Sequence, residues 1–118
     1  MNFEVHYNKY IEFKESAKQD RYIPSRIEDY FKAAFHLIES IAFKRAGLHI
    51  QKHQKIRKIL SENPEIFEEE TEKVINNFHE IENKIRVTTG YGKRDDGELL
   101  EKTIQLFEEI ERIGLSLI

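Results

Sequence analysis

From Ser25 to Phe43 the chain carries an apolar stripe that nothing interrupts. Ile27, Phe31, Ala34, Ile38 and Ile41 recur at spacings of three and four, flanked by Tyr30, Phe35, Ala42 and Phe43. That period gathers them on one side of an α-helix and scatters them over both faces of a strand. Gly47 follows, where a left-handed C-terminal cap is expected. Only 2 prolines and 5 glycines punctuate the whole chain, and Val/Thr alternation is scarce. The sequence therefore predicts an all-α protein, an up-and-down antiparallel helical bundle of four long helices plus one short helix. Its 118 residues suit a single domain, 1–118.

The remaining elements follow from the same arithmetic. Phe3, Tyr7, Tyr10, Ile11 and Phe13 predict a moderately amphipathic helix over residues 2–19, which Asp20 to Pro24 ends because the residue before a proline is pushed away from helical ψ. Ser25 restarts the chain, and Glu28 three positions on completes a capping box. Residues 50–60 predict a short, very basic helix with Ile56, Ile59 and Leu60 on one side. Asn63 and Pro64 suit the cap and first position of a long helix reaching Arg86, with Phe67, Thr71, Val74, Phe78, Ile81 and Ile85 inward. Thr88 to Gly92 break the period. Asp95 and Glu98 offer a capping box for a last helix, its inner stripe Leu99 or Leu100, Thr103, Ile104, Phe107, Ile110, Gly114 and Leu117.

What the chain lacks narrows its chemistry. Cysteine is absent, which excludes disulfides, thiolate zinc sites, iron–sulfur clusters and a cysteine nucleophile. No apolar run approaches the ~18 to 20 residues of a spanning helix, and the N-terminal MNFEVHYNKY lacks signal-peptide grading, so a cytoplasmic protein with no membrane partner is expected. There is no Gly-x-Ser-x-Gly, phosphate loop or dinucleotide fingerprint. His49 and His53 stand four apart but without the glutamate of a zincin, and the Glu-x-x-His motif of di-iron bundles is missing. Its reverse occurs twice, as His36-x-x-Glu39 and His79-x-x-Glu82. Among 5 histidines and 22 acids such pairs arise by chance, and the sequence predicts neither a metal nor a cofactor.

The net charge of −3 conceals a segregation of charge along the chain. Lys44, Arg45, Lys52, Lys55, Arg57 and Lys58 lie between Ser40 and Ser61 with no acid among them, and Lys84, Arg86, Lys93 and Arg94 form a second acid-free cluster. An acidic run from Glu62 to Glu82 separates them. Antiparallel packing that brought both basic stretches to one end would attract a nucleotide or RNA phosphate. The alternative is a set of solvated helix faces offset by nearby acids. Within the second cluster, Asn83 to Gly92 closes a long helix beside Lys93 and Arg94. There Arg86 can fork onto a phosphate and the Tyr91 hydroxyl can orient it or donate to a leaving oxygen; equally, Arg86 can pair with a glutamate and Tyr91 can plug the bundle end.

Three features in this order resemble the HEPN family of helical nucleotide- and RNA-associated domains. They are Tyr-Phe-Lys-Ala-Ala-Phe-His (Tyr30 to His36), the Lys52-His53 pair opening the basic helix, and Arg-x4-Tyr-Gly (Arg86, Tyr91, Gly92). The resemblance implies a homodimer whose arginine motifs face a shared cleft. It implies Arg86 and Tyr91 as the chemical pair, with His53, Lys52, Asn83, Lys93 and Arg94 as nucleotide or RNA contacts. Ribonuclease members carry Arg-x4-6-His and cut RNA without a metal, whereas here Val87 follows Arg86 and no histidine stands at positions 91–93. Tyrosine, with an ordinary pKa near ~10, is a poor base at neutral pH. Related bundles act as partners of small nucleotidyltransferases, often in toxin–antitoxin pairs, and that role suits the missing histidine better. A metal-independent ribonuclease in which Tyr91 or His53 replaces the histidine, and a ligand-free interaction bundle, are the alternatives.

Overall fold

The computed structural model describes residues 3–89 and 96–118, and at its centre lies helix α2 (Ile23–Ala46). Every member of the predicted stripe on α2, from Ile27 to Ile41, is buried, as are Ala33 and Leu37 between them. So wide an apolar surface needs cover on more than one side. Helix α1 (Phe3–Gln19) packs along one side and α6 (Asp96–Leu115) along another. At the α2–α6 crossing the backbones come close because position 114 has no side chain: a Cβ on Gly114 would lie 2.5 Å from Ile41 Cδ1. Helix α3 (Ile56–Glu62) packs on α4 (Thr71–His79), which in turn packs on α6. A π-helical segment, Glu80–Ile85, extends α4 into the single turn α5 (Arg86–Thr88), and α5 rests on α2. The fold is all-helical, with no strand among the described residues and no described helix long and apolar enough to cross a membrane.

Gly47 ends α2 as expected. Its φ of 66° is left-handed, its N–H donates to the Phe43 carbonyl at 2.9 Å, and the Leu48 N–H reaches back to Ala42. That reversal lays the following segment against the end of α2, where Ile50 is wholly buried and His49 is exposed.

Four local expectations are corrected. The helix expected to restart at Ser25 begins at Ile23, with Pro24 in its first turn, where a proline's missing N–H costs nothing. Asp20, not Ser25, supplies the nearby turn, its Oδ1 accepting from the Tyr22 N–H at 3.0 Å, so Glu28 is released from capping. Second, the helix expected from Pro64 starts only at Thr71. Asn63 closes α3 instead, donating to the Ile59 carbonyl at 2.8 Å, and a turn through Glu68, with φ 55°, precedes a 3-10 turn Glu68–Glu70. Phe67 is buried nonetheless. Third, the expected α1 stripe holds only in part: Tyr10 is buried and Tyr7 and Phe13 pack against the core, but Ile11 is exposed, and His6 and Ala17 are buried as well. Fourth, the long helix to Arg86 is interrupted by the π segment, whose wider turn keeps the adjacent Ile81 and Glu82 both buried. The capping box expected at Asp95 lies outside the described residues.

Candidate functional site

Burial of the α2 stripe puts Phe31 at the junction of three elements, and two predicted site residues meet there. The Arg86 guanidinium, at the start of α5, lies over the Phe31 ring with Cζ 4.2 Å from the centroid. His53, in the 3-10 turn His53–Lys55 that leads into α3, approaches the same ring edge-on, with centroids 5.0 Å apart and an interplanar angle of 84°. A cation over an aromatic face and an imidazole edge against one are both favourable, so Phe31 orients two groups that sequence separates by more than thirty residues.

Each group also has a carboxylate. Arg86 Nε lies 3.1 Å from Glu28 Oε2, the acid that capping left unused, and both side chains are partly exposed. His53 Nδ1–H donates to Glu82 Oε2, which leaves Nε2 as the nitrogen for any ligand. Glu82 is held in turn: its Oε1 accepts from Asn83 Nδ2 at 3.1 Å, and the same amide donates to His79 Nδ1 at 2.8 Å. Asn83 thus positions Glu82, and Glu82 positions His53. The π segment makes this chain of contacts, since it carries both Glu82 and Asn83 and delivers Arg86 one residue after its end.

Beside the chain lies a cleft of about 320 Å³ bordered by Arg57, Ile75, Phe78, His79, Glu82 and Asn83. Arg57 belongs to the first basic stretch, whereas from the second only its neighbour Asn83 lines the cleft, and neither Lys84 nor Arg86 does. Lys52 is exposed in extended backbone just before His53 and does not line the cleft. Tyr91, Lys93 and Arg94 lie outside the described residues. Sequence reasoning missed Glu28, Phe31 and His79 as members of this neighbourhood. The signal for Glu82 was present, since it stands four residues before Arg86 and in the His79-x-x-Glu82 pair set aside as chance.

A second group of side chains gathers where α1 crosses α2. His6 faces inward from α1, and His36 and Glu39 face it from successive turns of α2. Glu39 Oε1 lies 2.8 Å from His36 Nδ1 and 3.3 Å from His6 Nδ1. Phe13 stacks on the His36 ring at 5.5 Å and nearly parallel, fixing its plane. Burial disfavours the charged form of His6 and lowers its pKa; Glu39 opposes that shift, and His36 and His49 add to it.

No family model matches the chain, and no curated protein or solved structure is detectably similar to it.

Proposed function

We propose that this chain is a HEPN-type helical module that holds a phosphate-bearing ligand, a nucleotide or RNA, beside Arg86 and His53. In this reading the helices form an up-and-down antiparallel bundle of four long helices and one short one, two copies pair in the cytoplasm, and their arginine motifs face a shared basic cleft. A small nucleotidyltransferase is the proposed protein partner, in a toxin–antitoxin-type pair. The observation that supports the reading is the use of one ring, Phe31, to orient both Arg86 and His53, with Arg57 and Asn83 bordering the adjoining cleft. The Glu28 contact does not remove Arg86 from service. A partly exposed ion pair contributes about 0.2–1 kcal/mol, and a phosphate monoester carrying about −1.5 to −2 charges competes for the guanidinium on better terms.

Titration of the full chain with labelled single-stranded RNA and with a nucleotide, at low and high salt, tests this. Binding should weaken with salt, and Arg86→Ala should weaken it about 10- to 100-fold, the loss expected when a charge-assisted hydrogen bond to phosphate goes. Arg86→Lys keeps the charge without the fork and should recover only part of the loss. Equal affinity in all three proteins rejects the reading.

The His53–Glu82 contact favours one second reading, a metal-independent ribonuclease. A histidine held by a carboxylate, itself held by an amide, has the construction of an oriented base, and Arg86 across the Phe31 ring would stabilise the charge of the phosphorane. RNA cleavage in EDTA that is lost in both His53→Ala and Arg86→Ala would establish it; intact RNA at high protein concentration would eliminate it.

A further inference from the structure

The side chains of His6, His36 and Glu39 are placed in a way that hydrogen bonding does not account for. His6 and Glu39 are 5% and 6% exposed. Glu39 Oε1 is close to both imidazole Nδ1 atoms, yet neither approach has the alignment of a hydrogen bond, and all three atoms are buried without a hydrogen-bond partner. One orphaned buried polar atom costs about 1–3 kcal/mol, and native proteins rarely leave one so. Three that converge on one point call for a common partner. Donor atoms from the three residues all lie within 4.8 Å of one another. Ligands about 2.0–2.1 Å from a metal stand about 2.9 Å apart across an octahedral edge and about 3.4 Å apart across a tetrahedral one, and the observed 2.8 and 3.3 Å lie close to those two separations.

We infer that His6, His36 and Glu39 bind a divalent first-row transition-metal ion of the zinc class, with a coordination position left open toward the adjoining pocket. Two imidazoles and a carboxylate suit zinc and its neighbours and suit calcium or magnesium poorly. Three protein ligands with a free position is the pattern of sites that take a water or an exogenous ligand, whereas closed sets of four are structural. The free side is a pocket of about 490 Å³ that His49, Ile50 and Gln51 also line. The His49 ring centroid is 6.4 Å from that of His6, and Phe43 holds it at 4.9 Å, so it stands at the rim. The α1–α2 crossing brings the three ligands together, and the Gly47 reversal brings His49, Ile50 and Gln51 to the same pocket. The site does not rest on the phosphate reading: no proposed ligand belongs to the Phe31 neighbourhood, although Phe35 lines this pocket and its ring also meets His53.

Cobalt(II), added to the full chain in place of zinc, tests the inference. One equivalent should bind with the visible absorption of a low-symmetry, low-coordinate site, and either metal should raise the melting temperature. Azide should change the cobalt spectrum, because it enters the open position. Glu39→Gln and His6→Gln should each weaken binding more than about 100-fold, beyond what loss of an outer-sphere partner does, while His79→Gln leaves it unchanged. Circular dichroism checks that the variants fold; if the two buried substitutions do not, the more exposed His36→Gln carries the same expectation. Absence of stoichiometric binding by the unmodified chain overturns the site and points to a shared buried water. Binding that survives loss of Glu39 or His36, or that follows His79 instead, also overturns it. A spectrum indifferent to azide overturns the open position.

Discussion

His53 and His36 each lie against a glutamate, but the two pairs are built differently. At the first, every polar contact has a direction: His53 donates to one oxygen of Glu82, and Asn83 donates to the other. The His53 side chain is 28% exposed and sits beside a cleft. At the second, two ring nitrogens crowd one buried oxygen of Glu39 and none is aligned to bond. The first arrangement spends its carboxylate on holding an imidazole in place. The second brings together electron pairs that repel unless something positive lies between them. Glu111 shows a third case, a carboxylate used for the fold alone: Oε2 accepts from the Tyr10 hydroxyl and meets Lys14 Nζ at 2.6 Å, joining α1 to α6. A glutamate is common to all three. Direction and depth set them apart.

If that contrast holds, substitutions should separate the three places cleanly. The largest effect belongs to Phe31→Ala, which removes a ring that is 4% exposed and touches Phe78 as well as Arg86 and His53. It should cost about 3–5 kcal/mol of stability, read from the urea midpoint. In the fraction that remains folded, phosphate binding should fall while cobalt binding is unchanged. A loss of both would mean that the two regions are coupled and the comparison is false. Next in size is Tyr10→Phe, which deletes a hydrogen bond to a charged acceptor and should cost about 1.5–3 kcal/mol, with neither ligand affected. Burial and the Glu111 contact both push the Tyr10 phenol well above its ordinary pKa, so this stabilisation should persist unchanged through mildly alkaline pH.

The parts of this molecule that could be read from sequence are those in which one residue type has one use. The α2 stripe is aliphatic and aromatic over five turns, and its burial follows directly. In α1 the same arithmetic found Tyr10, Tyr7 and Phe13 but put the exposed Ile11 inside and gave no sign that His6 and Ala17 are buried. His6 was therefore invisible as a site residue. Its partner pair His36-x-x-Glu39 was visible, but spacing within one helix cannot reveal a third group arriving from another. Glu28 illustrates the same ambiguity: three residues after a serine it spells a capping box, and an ion pair with a distant arginine uses the same carboxylate. That Arg86 and His53 come together was expected only from resemblance. The ring that joins them, Phe31, reads in sequence as core and nothing more.

The smallest expected effect is also the sharpest test of the second histidine pair. Burial makes His6 hold a proton less well in the folded protein than in the unfolded chain, where its pKa is about 6.5. Well above pH 6.5 neither state is protonated at His6 and its contribution to stability is fully present. As the pH falls further the unfolded chain takes up the proton first, so stability is lost until the folded pKa is passed. One proton limits the slope to about 1.4 kcal/mol per pH unit, and the attraction of Glu39 for a charged imidazole keeps it below that limit. Urea midpoints measured between about pH 8 and pH 5 should therefore fall, and fall less in His6→Gln, whereas His53→Gln should retain the His6 component. Zinc competes with the same proton, so its stabilising effect should shrink over the same interval. A zinc effect that held constant from pH 8 to pH 5 would place the metal on ligands other than His6.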